Sequence, residues 1–274
     1  MIQLGTDPNC TKIMTQSMNR FFLTAVAVLV SVSSWGQFLP AGYLTDETRP
    51  KDYAFILPPP SSTDGAYAND VYYYQWGVDK RANAELSEQA LSDESASLYR
   101  VFGEDIIGIT LSRRTTPEII RLCERAASDA NTANSTVKDE YQRTRPFVAF
   151  EEPSLNPDND AEKAESYSYP SGHASRGYAF ALALCTVAPE RTSEIMLRAQ
   201  YYALNRVVCG HHWKSDIDAS LLLASAMFAN IVCTDEYQQQ LVKAREEYKR
   251  VKGEQQASAN EGDALRRFQM LMEK

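Results

Sequence analysis

Histidine is scarce in this chain: His173, His211 and His212 are the only three in 274 residues. Any imidazole acid–base chemistry is therefore confined to two short stretches. A basic surplus is also lacking, since 28 Lys and Arg face 36 Asp and Glu for a formal charge of -8. That balance excludes general attraction to nucleic acid or an anionic membrane, so an anionic ligand must be drawn in by a local cluster of cations. After the first 36 residues, no uninterrupted apolar run reaches the roughly 18 residues that mark a membrane-spanning helix, and stable membrane insertion is not expected. The five cysteines include no CxxC pair and suggest no zinc or redox motif. Runs that alternate β-branched and polar residues are few, which argues against a sheet.

What is there begins with a targeting segment. Lys12 and Arg20 precede the apolar run at 21–30, and Ser31, Ser33, Ser34 and Gly36 follow it, as in a cleaved signal peptide. Met14 and Met18 are alternative starts to Met1. Cleavage near Gly36 removes Lys12, Arg20 and Asp7, leaving 26 basic and 35 acidic residues and a charge of -9. A periplasmic or secreted location is expected. Cys123, Cys185, Cys209 and Cys233 would remain, either as disulfides in an oxidising compartment or as buried small hydrophobes.

The rest divides into an extended arm at 37–68 carrying Leu57-Pro58-Pro59-Pro60, one catalytic domain at 69–252, and a polar tail at 253–274. Helical spacing dominates the domain, as in Ile119, Ile120, Leu122, Cys123 and Ala126, and the expected fold class is all-α, a single helical bundle. Further helices are expected at about 171–187, from Pro189 toward Arg206, at 216–232 and at 236–252. Ile195, Leu197, Ala199, Tyr202 and Ala203 are spaced for burial on the second of these. A turn-rich insert, 151–169, separates two of the clusters described next. Its Asp158-Asn159-Asp160 lacks the glycine and terminal glutamate of a calcium loop.

Three clusters carry chemistry. Lys138 and Arg145 stand seven apart, two helical turns, so one helix ended by Pro146 would aim both cations the same way. Alone, such a pair would pass for a solvated basic face. Arg206 adds a third cation, and two guanidinium forks with an ammonium suit the oxygens of a tetrahedral phosphate. Pro170-Ser171-Gly172-His173 opens a helix, where free N–H groups and the helix dipole favour an anion while Ser171 can also cap. His212 and Asp216 stand four apart, placing a carboxylate on one ring nitrogen and leaving the other as a nucleophile if both lie on one helix. His211 is expected to point elsewhere, as a structural or pocket-rim residue.

Lys138-x6-Arg145-Pro146, Pro170-Ser171-Gly172-His173 and Arg206-x5-His212-x3-Asp216 together resemble the signature of the type 2 phosphatidic acid phosphatase (PAP2) superfamily, and most closely bacterial class A non-specific acid phosphatases. The likeness extends over about residues 50–250. It implies the helical bundle shared with vanadium haloperoxidases, hydrolysis of small phosphomonoesters without metal or other cofactor, and vanadate as an inhibitor. By the same resemblance, Lys138, Arg145, Ser171, Gly172 and Arg206 hold phosphate, His212 attacks phosphorus, Asp216 orients it, and His173 protonates the leaving oxygen. Asn205 departs from the family pattern, which has serine before the arginine. The alternatives are a vanadate-dependent haloperoxidase, a lipid phosphatase, which lacks the spanning helices it would need, and a phosphate-binding module without turnover. A homo-oligomer is compatible with the sequence, as is a monomer.

Overall fold

The computed structural model describes residues 39–254 together with 269, 270 and 272. The expected signal peptide and most of the polar tail lie outside the described residues. Every regular element among them is helical: α1 (Gly65–Lys80), α2 (Ala84–Ser92), α3 (Leu98–Val101), α4 (Glu104–Ile107), α5 (Pro117–Tyr141), α6 (Pro146–Ala149), α7 (Asp160–Ala164), α8 (Gly172–Val187), α9 (Thr192–Val208), α10 (Lys214–Ile231) and α11 (Asp235–Glu254). Short 3-10 turns at Pro157–Asn159 and Pro189–Arg191 precede α7 and α9. No single described helix is long and apolar enough to cross a membrane.

The bundle is built around α8, which packs on α5, α9 and α10. Its sequence explains the position: Ala174, Ser175, Gly177, Tyr178, Ala179, Phe180, Ala181, Ala183 and Leu184 are buried, a helix apolar or small on nearly every side. A Cβ on Gly177 would lie 2.6 Å from the Tyr202 ring, so α8 and α9 approach over this glycine. On α5, Ile119, Ile120, Leu122, Cys123, Ala126, Ala127, Ala130, Ala133 and Val137 form one buried stripe at helical spacing, covered by α8, α10 and α11. The residues before α1 form no regular element, but they are tied down where Asp129 accepts from the N–H groups of Tyr43 and Leu44 and where Tyr141 and Tyr169 donate to the carbonyls of Ile56 and Leu57. The first helix starts at Gly65, four residues before the expected domain edge, and Leu197 is only half-buried.

Two expected helical relationships are corrected. The αL residue Gln142 ends α5 at Tyr141, and Pro146 forces Arg145 into extended backbone. Lys138 therefore lies in the last turn of α5, while Arg145 lies beyond it; the two do not share a helix. Likewise α10 begins at Lys214, so His212 sits in the turn before the helix that carries Asp216. The four cysteines among the described residues are free thiols, with Cys123 and Cys209 buried, Cys185 half-buried and Cys233 exposed.

Candidate active site

A pocket of about 220 Å³ opens where the ends of α5, α8 and α9 converge, lined by Lys138, Arg145, Gly172, His173, Arg206 and His212, with His211 and residues of the 151–169 insert at its edge. Six of the eight expected site residues thus meet in one cavity. The remaining two, Ser171 and Asp216, are fully buried behind it.

His212 owes its position to the exit from α9. Gly210 takes a left-handed φ of 81°, and the chain folds back so that the N–H groups of both His211 and His212 donate to the Arg206 carbonyl. The next turn starts α10, and the Asp216 carboxylate reaches back to accept from the Trp213 N–H at 2.8 Å. The same Oδ2 lies 3.2 Å from His212 Nδ1. Arg145 Nη1 lies 3.2 Å from His212 Nε2, and because a guanidinium only donates, Nε2 carries the lone pair and Nδ1 the proton that faces Asp216. Burial, then Arg145 and Lys138, hold the His212 pKa well below its ordinary value, so the ring is neutral.

Behind this pair stands a network that reading the sequence missed. Arg143 donates to Asp216 Oδ1 at 2.7 Å and to Asp70 Oδ2 at 2.6 Å, while Ser215 donates to Asp70 through its backbone N–H and hydroxyl. Both carboxylates are fully buried. Arg143 had a local signal, two positions before Arg145, but Asp70 had none. Burial pushes the Asp216 carboxyl up, against the pull of Arg143.

Ser171 is the N-cap of α8, its hydroxyl accepting from the Ala174 N–H, and it does not line the pocket. Gly172 and His173 do, in a first turn whose N–H groups have no intrahelical acceptor. His173 Nε2 lies 2.7 Å from the Glu94 carbonyl; a carbonyl only accepts, so Nε2 is the donor and Nδ1 is the nitrogen left for chemistry. Burial, Arg176 and Arg206 hold His173 neutral. Glu94 is in turn placed by Asp93, which two nitrogens of Arg198 and the amide of Asn205 bind at 2.6–3.0 Å. The departure at Asn205 is thus a support two steps behind the pocket.

The cations are held unlike one another. Arg206 is 1% exposed, and its buried Nε has no hydrogen-bond partner. Lys138 and Arg145 bind peptide oxygens of the insert: Lys138 Nζ donates to the Tyr167 carbonyl at 2.6 Å, and Arg145 donates to the carbonyls of Lys163, Ser166 and Tyr167 and to the Ser166 hydroxyl. Burial, then Arg145, pushes the Lys138 pKa down to about 7.

His211 turns away from His212, its Nδ1 3.3 Å from Glu94 Oε1 and its Nε2 3.1 Å from the Ser154 hydroxyl. Its ligand atoms with those of Glu94 and Cys209 lie within 4.8 Å of one another, a group that the linear spacing did not reveal. Burial pushes the Cys209 thiol up, and Arg206 stands 3.8 Å from Glu94, surroundings that oppose a dication.

The arrangement offers a neutral imidazole backed by a carboxylate, a second imidazole across the pocket, and three cations between. Residues 121–240 match the family model of the PAP2 superfamily. The non-specific acid phosphatase of Providencia stuartii is 33% identical over 214 residues, covering 77% of this chain and 86% of its own. That of Salmonella typhimurium is 32% identical over 197 residues, covering 70% and 78%, and an acid phosphatase of Zymomonas mobilis is 26% identical over 200, covering 72% and 75%. With the three motifs gathered around one cavity and likeness that runs over most of both chains, this chain belongs to the PAP2 superfamily, alongside its bacterial class A non-specific acid phosphatases.

Proposed function

We propose that this protein is a secreted acid phosphatase that hydrolyses small phosphomonoesters in two steps through a phosphohistidine at His212, without a metal ion. The observation that carries the reading is the His212 ring: Nδ1 faces a buried carboxylate, and the Nε2 lone pair points at Arg145 in a pocket that also holds Lys138 and Arg206. A phosphoryl group accepted there takes the place of His212 on the Arg145 donor. Its oxygens are neutralised by the three cations, by the unpartnered Arg206 Nε and by the N–H groups at the start of α8.

Nε2 then forms the P–N bond as the ester P–O bond breaks, and the departing oxygen takes a proton from His173 Nδ1. Asp216 stabilises the positive charge that develops on His212. In the second step His173 Nδ1 removes a proton from water, whose oxygen attacks phosphorus while the P–N bond breaks and His212 recovers its lone pair. His173 is neutral in the empty pocket, so the proton it donates arrives with the anion. No cofactor is required, and vanadate inhibits by occupying the phosphate position. The leader at 1–36 supports export to the periplasm or medium.

The test is acid-labile, base-stable labelling of the protein by a phosphomonoester at quench. Wild type should trap phosphate and His212→Ala should not. Label that persists in the variant, or that sits on serine, overturns the assignment.

A further inference from the structure

The insert between the first two motifs brings one more cation to the pocket. Lys163 stands on α7, whose short helix and following turn are anchored to the cradle because Arg145 donates to the Lys163 and Ser166 carbonyls at 2.9 and 3.0 Å. Lys163 lines the cavity and is half-buried, yet its ammonium has no hydrogen-bond or ion-pair partner among the described residues. The other cations differ: Lys138 and Arg145 are spent on peptide oxygens, and Arg206 is bound to the Ala90 carbonyl.

Lys163 lines the same cavity as His173 and His211. Under the proposed function His173 marks the face from which the alcohol departs, and Lys163 shares the cavity with it. Glu162 lines the same mouth and opposes an anion there.

We infer that Lys163 is a specificity-determining residue that recognises a second phosphate on the leaving alcohol, making small bisphosphates preferred substrates. The inference rests on the phosphatase reading. Its basis is the juxtaposition of an unpartnered ammonium with a cavity whose other three cations are already held by protein oxygens.

The experiment compares kcat/KM for release of the 6-phosphate from a hexose 1,6-bisphosphate and from the matching hexose 6-phosphate, in wild type, Lys163→Met, Lys163→Arg and Glu162→Gln. The ratio of the two should fall roughly tenfold in Lys163→Met, through KM, be restored in Lys163→Arg, and rise two- to threefold in Glu162→Gln. A ratio unchanged in Lys163→Met, or a loss there shared equally by both esters, overturns this inference and leaves the phosphatase reading standing. Wild-type protein that hydrolyses neither ester overturns both.

Discussion

Arg143 donates one hydrogen bond to Asp216 at 2.7 Å, and through it the carboxylate behind His212 is tied to a second buried carboxylate, Asp70. Without the guanidinium two buried negative charges would stand unpaired. Arg143→Ala should therefore cost roughly 3–5 kcal/mol, measured by denaturant unfolding near neutral pH. The folded variant would hold the Asp216 carboxyl at raised pKa, without the opposing pull of Arg143, and bind a proton that the unfolded chain releases, so its deficit should shrink as pH falls. A deficit under 1 kcal/mol, or one that grows on acidification, would show that the network is not the support described.

Replacing His173 with alanine should cripple alkyl phosphates by roughly 10²–10⁴-fold in kcat and nitrophenyl phosphate by much less. A nitrophenolate leaves without needing a proton. Steady-state rates on the two esters decide the matter, and equal losses would remove His173 from the role of acid.

Anion affinity should fall as pH rises through 7. Burial brings Lys138 from an ordinary 10.5 to about 7, so above that pH the empty pocket has lost a charge that a bound anion must restore by taking up a proton. Sulfate, a dianion throughout, should inhibit competitively with a Ki that rises by up to tenfold per pH unit above 7. In Lys138→Arg this limb should flatten, because a guanidinium keeps its charge. An identical rise in wild type and variant would place the titration elsewhere.

Turnover should persist in a chelator and be blocked competitively by vanadate. Loss in chelator that zinc reverses, and that is absent from His211→Ala, would instead give the Glu94, Cys209 and His211 group a metal and refute the metal-free mechanism.

How far the sequence could be read depended on what each inference rested on. Helix spacing worked for α5 and α8, where a buried stripe and a nearly all-buried face leave a periodic trace. The same periodicity misled at Lys138 with Arg145 and at His212 with Asp216, because each pair straddles a helix end set by local backbone: the αL residue Gln142 and pre-proline Arg145 in one case, the Trp213 turn in the other. Lys138, Arg145 and His212 nonetheless line the pocket, with Asp216 buried behind His212, brought there by tertiary structure. Asp70, Glu94 and the insert carbonyls were not legible at all. Two of these contributions are backbone oxygens, which no side-chain pattern reports, and Asp70 lies far in sequence from the groups it serves.

The Tyr167 carbonyl accepts from both Lys138 and Arg145, at 2.6 and 3.2 Å, and so acts as an internal competitor for the very donors an incoming phosphate would claim. Binding is then an exchange of one set of oxygens for another, and the affinity realised is the difference between two well-satisfied states. Inorganic phosphate, which has no alcohol to add contacts, gains least from that exchange. Under the proposed function, a resident peptide oxygen would thereby weaken the hold on released phosphate.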